Sequence, residues 1–284
     1  MSEDFLKDFL RDEDLPPTFL ATVDAVCRPL ADRASALRDA KGASVIIGLC
    51  GAQGSGKSTI CAVTARLLNQ RGFSCAVLSL DDVYLGRQAR QWLADQTHPL
   101  LAVRGPPGTH DVPLACAILD GLAGPGTIPL PRFDKAADER RPPSSWDQVE
   151  GPLDVVLFEG WCVGARPQPP LDLLPPNNDL ERQRDLDGGW RRAVNRALAG
   201  AYQALFDRLD LLILLAAPDF DVVQAWRTEQ EHKLIARTGA GMSDAEVAVF
   251  IQHYERLTRW ILTEMPTRAD WVVRLDADRA PLSP

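Results

Sequence analysis

The chain has 284 residues, 45% of them hydrophobic and 25% charged, with 31 basic against 39 acidic side chains. That is the composition of a globular protein with enough chain to bury a large core without disulfide or metal staples. The net charge of −8 argues against nucleic-acid binding through a basic surface. The longest apolar run, Leu211 to Ala217, is far short of a membrane span. The acidic N-terminus has neither the basic nor the apolar region of a signal peptide. Cysteines 27, 50, 61, 75, 116 and 162 are scattered among mostly apolar neighbours and form no C-x-x-C pair. This is the pattern of buried free thiols in a reducing compartment, so a cytoplasmic location is expected.

In chain order, Phe19, Val23, Val26 and Leu30 mark an amphipathic helix bent or broken at Pro29, within an N-terminal helical extension over 1–42. Five apolar runs follow: Val45–Cys50, Ala76–Leu80, Val155–Phe158, Leu211–Leu215 and Trp271–Leu275. None alternates, and helical patterns separate them. They therefore predict strands buried on both faces of a mainly parallel sheet. A helix from Ser58 stops at Arg71-Gly72, and Ser243-x-x-Glu246 is a capping box opening a helix with Val247, Phe250, Ile251, Tyr254, Leu257 and Ile261 on its core face. The fold expected is α/β, three layers with a mainly parallel five-stranded core sheet over 43–284. Its first strand should lie centrally, flanked by the strand ending at Asp81 directly or one strand removed. Residues 104–152 and 164–189 read as irregular, and the second stretch is expected to be mobile, since its prolines and charges offer few buried contacts.

Residues 51–58 read GAQGSGKS, a full match to G-x-x-x-x-G-K-[ST] between an apolar strand and an amphipathic helix. The glycines let successive N–H groups face phosphate oxygens, Lys57 supplies a charge to the terminal phosphates, and Ser58 supplies a hydroxyl to Mg²⁺. Gly51, Ala52, Gln53, Gly54, Ser55, Gly56, Lys57, Ser58 and Thr59 are thus expected to hold a nucleoside triphosphate. The second strand runs into Asp81-Asp82-Val83-Tyr84 and the third into Glu159-Gly160-Trp161. The carboxyl ends of parallel strands share one rim, so these acids should lie beside the phosphate loop, as a proton acceptor or metal ligands. The plain alternatives are turn aspartates capping the next helix and a strand-end glutamate paired with a surface arginine.

These residues carry a resemblance. GAQGSGKS, Leu80–Tyr84 and Leu157–Trp161 resemble the P-loop kinases related to phosphoribulokinase, uridine kinase and bacterial pantothenate kinase. Arg104-Gly105-Pro106-Pro107-Gly108-Thr109-His110-Asp111, Pro131–Lys135, Trp226-Arg227 with Gln230-Glu231, and the Gly241–Asp244 turn are similar to the D-glycerate 3-kinase family in particular. The resemblance spans about residues 43–278. It implies ATP and Mg²⁺ at Gly51–Ser58, Asp81 in the place of the catalytic base, and Glu159 near metal and substrate. Ser58, Asp81 and Glu159 form the metal set, and Arg227 lies where these kinases close a lid over ATP. Asp82 stands where the relatives often have Ser or Gly. The 164–189 stretch is longer than such a site requires.

An acceptor bearing a carboxylate needs cationic donors near the γ-phosphate. Arg104, His110, Arg132 and Lys135 cluster in two Pro-stiffened segments and, with Asp82 and Tyr84, are the candidate substrate contacts. Lys135 has a second reading, stabilising the transferring phosphoryl, and His110 a plainer one, a neutral imidazole bonded to Asp111 or backbone. Trp146, Trp161 and Trp226 read as packing anchors. The function expected is an ATP-dependent kinase phosphorylating D-glycerate. The alternatives are the same chemistry on a nucleoside, pantothenate or another sugar acid, or a nucleotide-dependent switch. An N-K-x-D guanine motif and an L-S-G-G-Q signature are both missing, and Asp81 favours a hydroxyl acceptor over water. Partners expected are a small-molecule substrate, with no nucleic acid and no membrane, the chain acting as a monomer or small homo-oligomer.

Overall fold

The computed structural model describes residues 4–13 and 15–282. In chain order the strands are β1 (Val45–Gly51), β2 (Cys75–Ser79), β3 (Gly126–Leu130), β4 (Phe133–Asp134), β5 (Glu139–Arg140), β6 (Asp147–Gly151), β7 (Val155–Gly160), β8 (Leu211–Ala216) and β9 (Trp271–Arg274). Five make one parallel sheet in the order β2-β7-β1-β8-β9. Every residue of β1 and β7 is buried, as the unbroken apolar runs require of strands covered on both faces. β1 is central and β2 lies one strand removed, with β7 between them. β3–β6 and β4–β5 are small antiparallel ribbons outside the sheet.

The helix after β1 runs Lys57–Gln70 and buries Ile60, Val63, Leu67 and Leu68. The capping box at Ser243 and Glu246 is formed from both sides and opens the helix Asp244–Glu264. Near the N-terminus a π-helical turn, Val23–Cys27, leads into the helix Arg28–Lys41. The backbone is helical without a break from Phe19 to Lys41, and the π-helical turn falls just before Pro29, the residue with no N–H to donate. Val23, Val26, Cys27 and Leu30 join the same buried cluster as β1 and β7, so the N-terminal helices pack against the sheet's core. All six cysteines are free thiols. Among the described residues no helix is long and apolar enough to cross a membrane.

Two expectations are corrected. The stretch 104–152 is not irregular throughout: it contains the helix Val112–Leu122 and both ribbons. The stretch 164–189 is packed, not loosely held. It contains a 3-10 turn, Pro170–Leu173, and the helix Asp179–Arg184. Two of its acids turn inward: Glu181 is fully buried and takes two hydrogen bonds of 2.6 Å from Arg256, while buried Asp185 takes Arg191 at 2.9 Å. Arg256 also donates to the carbonyls of Asp172 and Pro175. Two of the acids that suggested a solvated segment are thus neutralised by arginines from later helices, while Arg166, Asp172, Asp179, Arg182, Arg184 and Asp187 stay exposed together with Leu171, Leu174 and Leu186.

Candidate active site

The phosphate loop closes because two of its glycines take conformations other residues avoid. Gly54 and Gly56 have φ of +78° and +84°. A Cβ on Gly54 would also lie 2.6 Å from that of Trp226, so the helix Phe220–Thr238 sits directly on the loop. Trp226 is buried and donates its indole N–H to the Ala277 carbonyl, the packing role expected of it.

Sheet register builds the rest. Glu159 pairs with Leu49 on β1 and with Ser79 on β2, so it stands between the strand feeding the phosphate loop and the strand feeding Asp81. Ser58 Oγ donates to Glu159 Oε1 at 2.9 Å, and Lys57 Nζ lies 4.0 Å from Oε2. Glu159 is 3% exposed and its Oε2 accepts no hydrogen bond from the described residues, an unusual state for a buried carboxylate oxygen. Gln53 Oε1 and Ser55 Oγ are also buried without partners. A hydroxyl, a buried carboxylate with one free oxygen and a lysine at a helix N-terminus fit a hard divalent cation with phosphates, so the residues present suit Mg²⁺ and a nucleoside triphosphate.

β2 ends at Ser79, one residue earlier than expected, because the Ser79 hydroxyl accepts from the Asp81 N–H and winds Leu80–Val83 into a 3-10 turn. Asp81 and Asp82 thus diverge on a turn, not on alternate faces of a strand. Asp81 Oδ2 accepts from Lys135 Nζ at 2.6 Å and Oδ1 from the Tyr84 hydroxyl at 2.7 Å. Burial would raise its pKa, but Lys135, then Lys57, then the Tyr84 hydroxyl outweigh burial and hold it well below the usual carboxylate range. Asp82 goes the other way: burial raises it, and the Phe133 amide and Arg132 only partly compensate. Both Asp82 oxygens are occupied, by Arg132 and the Phe133 N–H, each at 3.1 Å, so Asp82 anchors the start of the β4–β5 ribbon.

The remaining candidates divide. Arg132 is spent on Asp82 and Asp147. Arg104 pairs with Asp138 through one Nη and lies over the Phe133 ring, whose edge meets Tyr84. His110 is no cation: burial pushes its pKa down to about 3, and its bond goes to Tyr202, not to Asp111 or backbone as the plainer reading supposed. Its ring stacks on Tyr84, 4.6 Å between centroids. Arg227 pairs with Glu231 and lies over Phe250, one residue from the Trp226 contact with the loop.

No protein-family model matches the chain. An uncharacterized kinase of Schizosaccharomyces pombe is 36% identical over 227 residues, covering 75% of this chain and 79% of that protein. The chloroplastic D-glycerate 3-kinase of Arabidopsis thaliana is 31% identical over 220 residues, covering 74% of this chain but 46% of that longer protein. The solved structure of a D-glycerate 3-kinase from Cryptococcus neoformans superposes with a TM-score of 0.75 at 25% identity, over 91% of this chain and 98% of that one. The chain belongs to the D-glycerate 3-kinase family of P-loop kinases.

It is therefore a phosphotransferase, and around the candidate site four residues make bonds that motif reading did not find. Arg279 donates to the Gly54 carbonyl at 2.7 Å while bonding Glu229, which ties the C-terminal segment to the phosphate loop. Arg90, 1% exposed, joins Arg104 and Arg87 on Asp138, so the ribbon that carries Lys135 is clamped at its turn. Trp161 donates to the Gly105 carbonyl, and Tyr254 to that of Arg104. Each of these bonds joins residues at least 48 positions apart. Nothing local marks them.

Proposed function

We propose that this kinase transfers the γ-phosphoryl group of ATP to a hydroxyl of D-glycerate. One observation carries the catalytic part: Asp81, on the turn that follows β2 at the rim, bonds Lys135 and feels the charge of Lys57, while Ser58 and Lys57 meet Glu159 on the strand between. A proton acceptor, a metal pair and a phosphate cation thus converge on one edge of the sheet. Glycerate itself is supported by the named relatives.

In this reading Lys57 and the loop amides bind the phosphates, and Ser58 and Glu159 hold Mg²⁺, which supplies charge neutralisation to the phosphate oxygens. Asp81 accepts the proton of the attacking hydroxyl. Phosphoryl transfer runs through a loose transition state, so a weakly basic carboxylate suffices when its position is right. Lys135 is the mobile partner: its side chain is 61% exposed, and movement from Asp81 toward the transferring phosphoryl would raise the proton affinity of Asp81 as the reaction needs it. Asp82 has the higher proton affinity, but both its oxygens are engaged, so geometry favours Asp81. Arg104, with one Nη on Asp138 and its other N–H groups free of that bond, receives the glycerate carboxylate. Arg227 covers the nucleotide from the helix that rests on the loop.

The test is ADP release by the purified chain with Mg-ATP and D-glycerate, L-glycerate, pantothenate or uridine. D-glycerate should exceed uridine in kcat/KM by about a hundredfold or more, since a site built to bond a carboxylate rejects an analogue lacking it, and should also exceed L-glycerate and pantothenate, which keep the carboxylate but present their hydroxyls in a different geometry. Glycerate-independent turnover, or preference for a nucleoside, would overturn the assignment.

A further inference from the structure

Tyr202 lies on the short helix Ala201–Phe206, away from every motif, and is 2% exposed. Its oxygen accepts the Gly108 N–H at 2.9 Å and lies 2.6 Å from His110 Nδ1. With its oxygen engaged by that amide, the hydroxyl's one hydrogen has His110 Nδ1 as its acceptor, and among the described bonds it has no other. The loop that presents the amide is rigid. Gly108 has φ of +105°, Thr109 bonds the Pro106 carbonyl through both N–H and hydroxyl, and the Gly105 N–H returns to the Thr109 hydroxyl.

An imidazole kept neutral by burial and accepting at Nδ1 carries its proton on Nε2. His110 is 5% exposed, and among the described residues its Nε2 has no hydrogen-bond partner. The ring is held on the Tyr84 ring and, through backbone pairing of His110 with Tyr84, beside the residue whose hydroxyl bonds Asp81. A buried N–H donor next to the candidate base therefore lacks an acceptor among the described residues.

We infer that Tyr202 is a positioning residue that locks His110 as an Nε2–H donor, and that this donor selects acceptor substrates presenting an oxygen lone pair, a carboxylate or hydroxyl, at that point. A substrate offering an amino N–H there is rejected, because two donors would face each other in a buried site. The inference deepens the glycerate reading and rests on it for its substrate, but the tautomer is measurable without any substrate.

The experiment is ¹⁵N NMR of histidine-labelled protein at neutral pH, followed by kinetics. The wild type should show His110 protonated at Nε2 and unprotonated at Nδ1. Tyr202→Phe should mix the two tautomers, raise KM for the acceptor about tenfold and leave KM for Mg-ATP nearly unchanged. His110→Gln in the Tyr202→Phe background puts an amide N–H near the Nε2 position without needing the relay, and should recover most of the acceptor KM. An Nδ1–H tautomer in the wild type overturns the inference whatever the substrate proves to be. So does a Tyr202→Phe protein with unchanged tautomer and acceptor KM. If the wild type shows the Nε2–H tautomer yet glycerate is not phosphorylated, the relay stands and the substrate assignment falls.

Discussion

Asp81→Asn separates the catalytic charge from the architecture around it. The amide keeps the carboxylate's shape, and its oxygen can still accept the Tyr84 hydroxyl now bonded to Oδ1. What is lost is the side facing Lys135, where an NH₂ group would meet an ammonium. Lys135 is 61% exposed and can turn to solvent, so the stability cost should stay below about 1 kcal/mol. The catalytic cost is different in kind. A positioned proton acceptor contributes about 10²–10⁴ in rate, or about 2.7–5.4 kcal/mol at about 1.36 kcal/mol per decade. The variant should therefore melt like the wild type, bind ATP normally, and lose kcat by at least about a hundredfold. The pH profile adds a second check. Asp81 has a depressed pKa, so it is ionised throughout the range above the ordinary aspartate value of about 3.9. Any stability from its ion pair is likewise present above that value and is lost only as pH falls through the depressed folded one. The wild-type rate should consequently show no acid limb from this group between about pH 5 and pH 8. A kcat within about tenfold of wild type, or an acid limb near pH 6 that Asp81→Asn removes, would refute the reasoning.

Lys57→Ala should abolish phosphoryl transfer with the fold intact, because its ammonium approaches Glu159 and the phosphate loop, not the core; near-normal turnover at saturating ATP would remove the kinase mechanism. Gly54→Ala combines a left-handed backbone with a Cβ contact of 2.6 Å on Trp226, so it should weaken nucleotide binding and cost about 1–3 kcal/mol in denaturant unfolding. Arg256→Ala leaves Glu181 buried with one remaining partner, the Asn177 N–H at 2.7 Å, and should cost about 3–5 kcal/mol by calorimetry. Its melting temperature should fall by several degrees, and an unchanged value would mean the segment 164–189 is not integral to the core. Cys27 and Cys50, fully buried with thiols pushed up to about 12, should react with a thiol reagent only after denaturation.

The sheet was legible in advance because its strands are buried on both faces and say so in unbroken runs of Val, Ile and Leu. Their ends were read to within about two residues. The misread end at Leu80 turned on a single Ser79 hydroxyl, which no hydrophobic pattern records. The phosphate loop was legible because its chemistry is local: eight consecutive residues carry all of it. Asp81 and Glu159 were placed by a topological rule, that parallel strand ends share a rim. The arginine and tyrosine supports could not be read, since Arg256 meets Glu181 across 75 positions and Tyr202 meets His110 across 92. The same blindness turned the packed 164–189 stretch into an expected mobile one. Buried charge looks like solvated charge until its partner is known.

The single strand β7 between β1 and β2 also acts as a ruler. Neighbouring strands lie about 4.8 Å apart, so the end feeding the phosphate loop and the end feeding Asp81 are separated by about two such spacings, near 10 Å. That span is set by backbone hydrogen bonds and does not vary with side chains. The reacting hydroxyl must fall inside it, whatever molecule carries it. Beyond it lie the segments 104–111 and 131–140, which carry Arg104, His110 and Lys135. A new acceptor could be accommodated by redesigning those two segments while the ten-ångström gauge stays as built.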